Sequence, residues 1–175
     1  MKNFLKLTAV LALILITFNA CEKLTDVNFN TTISERIPVH INQTSGTAVP
    51  FDESVILHLD NDDTHDYIND IKDIEINHLT YKLIQFSGDN TGTIDVQFYI
   101  GTNPLLQNNL TVKTSVDNGT YYEVTDVQEL NTIATALKNG HQVTARYSGS
   151  ALSDQDAMDF KVAVTMNVAV TANPI

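Results

Sequence analysis

The chain has 175 residues, 43% of them hydrophobic, and a formal charge of −11 at pH 7. That length suits one domain burying about two-thirds of its unfolded surface, and that apolar fraction is enough for a core, which excludes wholesale disorder. The acidic balance repels phosphate backbones and anionic surfaces, so nucleic acid is excluded as a partner.

The first element is a short cationic start, Lys2 and Lys6, followed by an apolar run from Leu7 to Phe18. This is the layout of a secretory signal peptide. A membrane-spanning helix needs ~20 apolar residues, and Glu22, Lys23 and Asp26 close this run too early for that. Cys21, the single cysteine, follows the run directly, so no internal disulfide is available to the fold. An odd cysteine in an exported chain is a reactive thiol unless it is modified.

The tetrapeptide Phe18-Asn19-Ala20-Cys21 resembles the lipobox of bacterial lipoprotein precursors; Ala20 and Cys21 match that pattern, while Phe18 and Asn19 depart from it. The resemblance covers residues 1–21. It implies that 1–20 is a lipoprotein signal peptide and that Cys21 becomes the first mature residue. Its thiol would carry a diacylglycerol and its amino group an acyl chain such as palmitate. Each buried methylene contributes ~0.8 kcal/mol and a single chain anchors only reversibly, which is the physical reason for several. Glu22 does not resemble the aspartate that retains some such proteins in the inner membrane, so the bacterial outer membrane is the expected location. Residues 21–25 form a short tether and 26–175 one domain. Losing residues 1–20 removes Lys2 and Lys6 but no acid, taking the charge from −11 to −13.

The mature part reads as strands. Val27, Phe29, Thr31 and Ile33 alternate in one segment, and Ile37, Val39 and Ile41 restart the alternation after Glu35-Arg36. Val55, Leu57 and Leu59 make the next strand. Tyr67, Ile68 and Ile71 recur at helical spacing, predicting a short helix from about Thr64 to Lys72 with Asp62 and Asp63 as caps. The segments around Leu79–Leu83 and Ile94–Ile100 flank Ser87-Gly88-Asp89-Asn90-Thr91-Gly92 and predict a hairpin, with a bulge where the phase slips at Asn77-His78.

Beyond the turn at Gly101–Pro104, residues 109–116 and 121–124 read as strands. In 125–140, Thr125 with Gln128 predicts a capping box, Leu130, Ile133, Ala134 and Leu137 an apolar stripe, and Gly140 a stop. Val143, Ala145 and Tyr147 return as a strand. Phe160, Val162, Val164, Met166, Val168 and Val170 then occupy every second position of a long one. The expected fold is mainly β: an antiparallel Ig-like β-sandwich of about eight strands with one helix in a connection. "Ig-like" names architecture only, because the Cys…Trp…Cys marker is absent.

Candidate chemistry concentrates in residues 58–75. Asp60, Asp62 and Asp63 are candidate calcium ligands, since hard cations take six to eight oxygens, and Ca2+ is the one cofactor this pattern suggests. The EF-hand pattern fails, however, with His65 at the glycine position and Ile71 at the glutamate position. Helix capping and a solvated acidic face account for the same residues. His58 and His65 add a transition-metal alternative, but no H-E-x-x-H spacing occurs. For catalysis, G-x-S-x-G, P-loop and dinucleotide patterns are missing; the nearest sequence, Ser148-Gly149-Ser150, reads as a turn. Asn30, Asn42, Asn109 and Asn118 each head an N-x-[ST] triplet and read as strand and turn residues.

The sequence thus predicts a non-enzymatic cell-envelope lipoprotein, held on the membrane through Cys21, whose domain binds a protein or glycan ligand. The alternatives are a structural subunit that pairs with neighbours through its sheet edges, or a metal-assisted enzyme using residues 58–66.

Overall fold

A computed structural model of the chain describes residues 26–173, so Cys21 and the signal and tether segments lie outside the described residues. Eight strands, β1 (Val27–Ile41), β2 (Val49–His58), β3 (Ile71–Gly88), β4 (Thr93–Ile100), β5 (Asn103–Thr111), β6 (Tyr121–Glu123), β7 (Gln142–Leu152) and β8 (Met158–Ala172), form two four-stranded sheets. Helices α1 (Val112–Asp117) and α2 (Val127–Gly140) flank β6. The sheet orders are β1-β8-β3-β6 and β2-β7-β4-β5, with every pairing antiparallel. The fold is therefore the expected antiparallel sandwich, with the two-sheet connectivity of a jelly roll.

Alternation builds the core. On β8, Met158, Phe160, Val162, Val164, Met166, Val168 and Val170 are all buried. They face Ile33, Ile37, Val39 and Ile41 from β1, Leu79, Tyr81 and Leu83 from β3, and the inner residues of β4 and β7 in one contiguous cluster. Each fully buried side chain of this size contributes ~1.5–3 kcal/mol. At the centre, the Tyr81 ring lies 4.8 Å from Phe98, 4.8 Å from Tyr122 and 5.4 Å from Tyr147.

Several local expectations change. The two segments before residue 42 are one strand: Pro38 is tolerated because β1 is an edge, where a missing N–H breaks no ladder bond. Pro50 on β2 and Pro104 on β5 lie on edges as well. The expected hairpin is absent, since β3 and β4 belong to different sheets. The loop between them crosses the sandwich around Asp89, 3% exposed, which accepts from the Thr91 N–H and hydroxyl and from the Gln155 N–H. The Gln155 amide and then Thr91 hold its carboxyl below the usual carboxylate range.

The bulge at Asn77 is present as a register shift between Ile76 and His78. Between Thr64 and Lys72 there is only a 3-10 turn, His65–Tyr67, because β3 already begins at Ile71. Residues 112–117 form α1 instead of continuing a strand; the Val112 N–H turns to the Gly92 carbonyl, and Lys113 pairs with Asp117 one turn on. The N-cap of α2 is Asp126 in place of Thr125, its carboxylate accepting from Gln128 N–H at 2.8 Å and Glu129 N–H at 3.1 Å. The left-handed position that ends the helix is His141, φ 54°, in place of Gly140. Ser148-Gly149-Ser150 lies in the middle of β7.

Candidate functional site

The acidic stretch folds as a loop over one end of the core. Thr64 is fully buried, its hydroxyl donating to the Leu59 carbonyl, and Tyr67 packs on Phe29 with ring centroids 5.3 Å apart. The candidate calcium ligands are directed to separate tasks. Asp60 pairs with Nδ1 of His65 at 2.9 Å, Asp63 accepts from the Thr31 hydroxyl at 2.9 Å, and Asp62 is exposed. The hydrogen bond that His65 donates to Asp60, and then the charge of that carboxylate, raise the His65 pKa above its ordinary value. Among the described residues, no three His, Cys, Asp or Glu side chains are grouped so as to hold a metal. His58 pairs in register with Gln142 at the end of β2 and is not brought to that loop's carboxylates by any bond.

The structure instead assembles a polar groove of about 690 Å³ on the outer face of the β1-β8-β3 sheet. Outward positions of β8 are short, Ala163, Thr165, Asn167 and Ala169, so the middle strand forms a floor. From β1, Asn30 stands opposite Ala169 and Thr32 opposite Asn167. From β3, the bulge turns both Asn77 and His78 outward, since two residues there oppose one on β8. Asp63 closes one rim. Three of these groups are held: Asn167 Oδ1 accepts from Thr32 at 3.1 Å, His78 Nδ1 lies 2.9 Å from Glu123 Oε1, and Asp63 Oδ2 is taken by Thr31. A carboxylate only accepts, so the proton of a neutral His78 sits on Nδ1 and leaves Nε2 open as an acceptor.

A second cleft of about 450 Å³ lies between α2 and β3, beside Asp73, Glu75 and Lys138. There the Thr135 hydroxyl turns back to the Asn131 carbonyl, and no hydrogen bond among the described residues orients the charged groups. The opposite sheet carries Arg146 on its outer face, stacked 4.8 Å from the Tyr99 ring and paired with Asp52 at 2.6 Å. That guanidinium is already neutralised by its partner.

The groove residues were not legible in the sequence as a site. Apart from Asp63 in the acidic loop, they come from three strands separated by up to about 137 positions. Asn30 stands out only as the head of an N-x-[ST] triplet, and Asp63 only as a candidate calcium ligand. The bulge at Asn77-His78 was the one local signal pointing to this face.

No protein-family model matches this sequence, and no curated protein is similar to it. Among solved structures the fold is similar to the decameric BFDV capsid protein, with a TM-score of 0.52 at 10% identity over 82% of this chain and 99% of that chain. A Desmodium yellow mottle tymovirus structure gives a TM-score of 0.40 at 13% identity, over 84% of this chain and 85% of that one. At such identities the likeness concerns the fold alone.

Proposed function

We propose that the chain is a non-enzymatic, lipid-anchored binding module of the cell envelope, tethered through Cys21 to the outer membrane and engaging its ligand with the groove on the β1-β8-β3 face. The observation that carries the binding part is the groove itself, within the ~300–1,000 Å³ range of small-ligand clefts, with Asn167, His78 and Asp63 held by partners in its wall. The anchor rests on the pattern of residues 1–21.

Assembly through sheet edges is the weaker reading. Pro38, Pro50 and Pro104 each remove a backbone donor from an edge strand, a common device against strand addition. Mass spectrometry of the N-terminus from native membranes tests the anchor. Acyl mass on residue 21, and release of a Cys21→Ala variant from the membrane fraction, are expected; an unmodified cysteine overturns the assignment.

A further inference from the structure

We infer that the groove on the β1-β8-β3 face is a saccharide site, selective for neutral, polyhydroxylated chains. This deepens the binding-module reading and rests on it, but is independent of the lipid anchor.

The inference begins with which polar atoms remain open. Among the described residues, the side-chain amides of Asn30 and Asn77 make no hydrogen bond to the protein, and Asn167 uses only its oxygen, toward Thr32. The groove therefore offers two complete amides, one further amide N–H2, the Nε2 of His78 and the second oxygen of Asp63. An amide donates and accepts side by side, and two neighbouring hydroxyls of a sugar do the same, so each amide matches one diol.

Charge narrows the class. The rim holds Asp63 and, behind His78, Glu123, while no Lys or Arg lines the groove. An anionic ligand would meet carboxylates without a counter-charge. An apolar ligand finds little to cover, because the lining side chains other than Val168 are polar and Val168 points into the core. The partners of Asn167, His78 and Asp63 hold their groups before binding, which lowers the ordering cost. No Phe, Tyr or Trp ring lines the groove, so recognition runs through hydrogen bonds without a broad stacking platform.

The test uses the full mature protein in neutral detergent, run through native gels containing dextran, mannan or soluble chitin oligosaccharides, with polygalacturonate as the charged counterpart. Retardation by at least one neutral glycan and none by polygalacturonate is expected. The triple variant Asn30→Ala, Asn77→Ala, Asn167→Ala should lower that affinity at least tenfold with an unchanged melting curve; all three side chains face outward, so the core is untouched. Failure of all three neutral glycans, equal retardation of the triple variant, or preference for polygalacturonate overturns the proposal. Self-association in sizing chromatography that the triple variant abolishes also overturns it, with a second copy of the chain as the occupant. Cys21→Ala protein should bind as wild type does, so loss of the anchor and loss of the saccharide site give different results.

Discussion

Replacing Tyr147 by Phe should make the protein more stable, although it deletes a polar group from the centre of the fold. Tyr147 is fully buried, and its hydroxyl is the one buried side-chain polar atom among the described residues with no hydrogen-bond partner. Burial pushes its pKa well up, and the charge and close approach of the Tyr81 hydroxyl raise it further, although the two hydroxyls do not meet hydrogen-bond geometry. A buried hydroxyl without a partner costs ~1–3 kcal/mol of desolvation that the folded state never regains. Phe keeps the ring contacts to Tyr81 at 5.4 Å and to Phe51 at 6.1 Å, so packing is conserved. The void left by one oxygen offsets part of the gain, and a net of about 1 kcal/mol is expected. For a domain of this size that corresponds to a rise in Tm of ~2–4 °C. Urea unfolding at pH 7 of the mature chain carrying Cys21→Ala, with and without Tyr147→Phe, reads it directly. Tyr81→Phe is the contrast: its hydroxyl accepts from Asn108 at 2.7 Å, and losing that bond should cost ~1 kcal/mol. A Tyr147→Phe variant less stable than its parent by ~1 kcal/mol would refute the reasoning and show that the hydroxyl has a partner.

Two further expectations concern the strands. Gly149 lies opposite Val96, and a Cβ there would stand 2.1 Å from the Asp95 carbonyl oxygen and 2.8 Å from the Val96 Cα, both backbone. Gly149→Ala should therefore cost about 3 kcal/mol by forcing β4 and β7 apart, measured by the same urea unfolding; a change within ~0.5 kcal/mol contradicts that close approach. His40, whose Nδ1 lies 2.6 Å from Asp159 across β1 and β8, has a pKa raised first by that hydrogen bond, then by Asn42 and by the charge of Asp159. A raised folded-state value means the stabilisation is present below 6.5 and is lost as pH rises through the folded pKa. Wild type should melt above His40→Gln at pH 5.5, and the gap should narrow by pH 8.5; a gap that widens with pH reverses the sign and sinks the assignment.

What the sequence made legible follows from which forces act locally. The 158–172 strand, the apolar stripe of α2 and the bulge at Asn77-His78 are written in side-chain period, and all three are present. Period does not say which strands pair. Residues 71–88 and 93–100, joined by a loop rich in turn formers, have the local signature of a hairpin, yet the buried carboxylate of Asp89 ties that loop to Gln155 across the sandwich. Residues 112–117 carry the β-branched Val112, Thr114 and Val116, but burial of Val112 and Ser115 outweighs that intrinsic preference and gives a helix. The groove was illegible for a related reason. Asn30, Asn77 and Asn167 gain meaning only from the register of three strands, and each alone is an ordinary outward residue of a sheet.

The same register constrains how a tethered domain would present its groove. β1 begins at Val27, paired with Ala172, and the Asn173 N–H donates to the Asp70 carbonyl, so the first described residues and the acidic loop share one end of the sandwich. Lys72 holds Asp26 at 3.2 Å at that end. Anchored through Cys21, the domain would turn Asp60, Asp62, Asp63, Asp66 and Asp70 toward the lipid surface. Glu22–Thr25 span at most ~14 Å, which exceeds the ~8 Å over which charge is screened at physiological ionic strength. The acids therefore need not enter the headgroup field, and repulsion from an anionic leaflet would hold the domain at the end of its tether. The groove runs up the side of the sheet from Asp63, so it would face laterally and remain open to a chain lying parallel to the membrane.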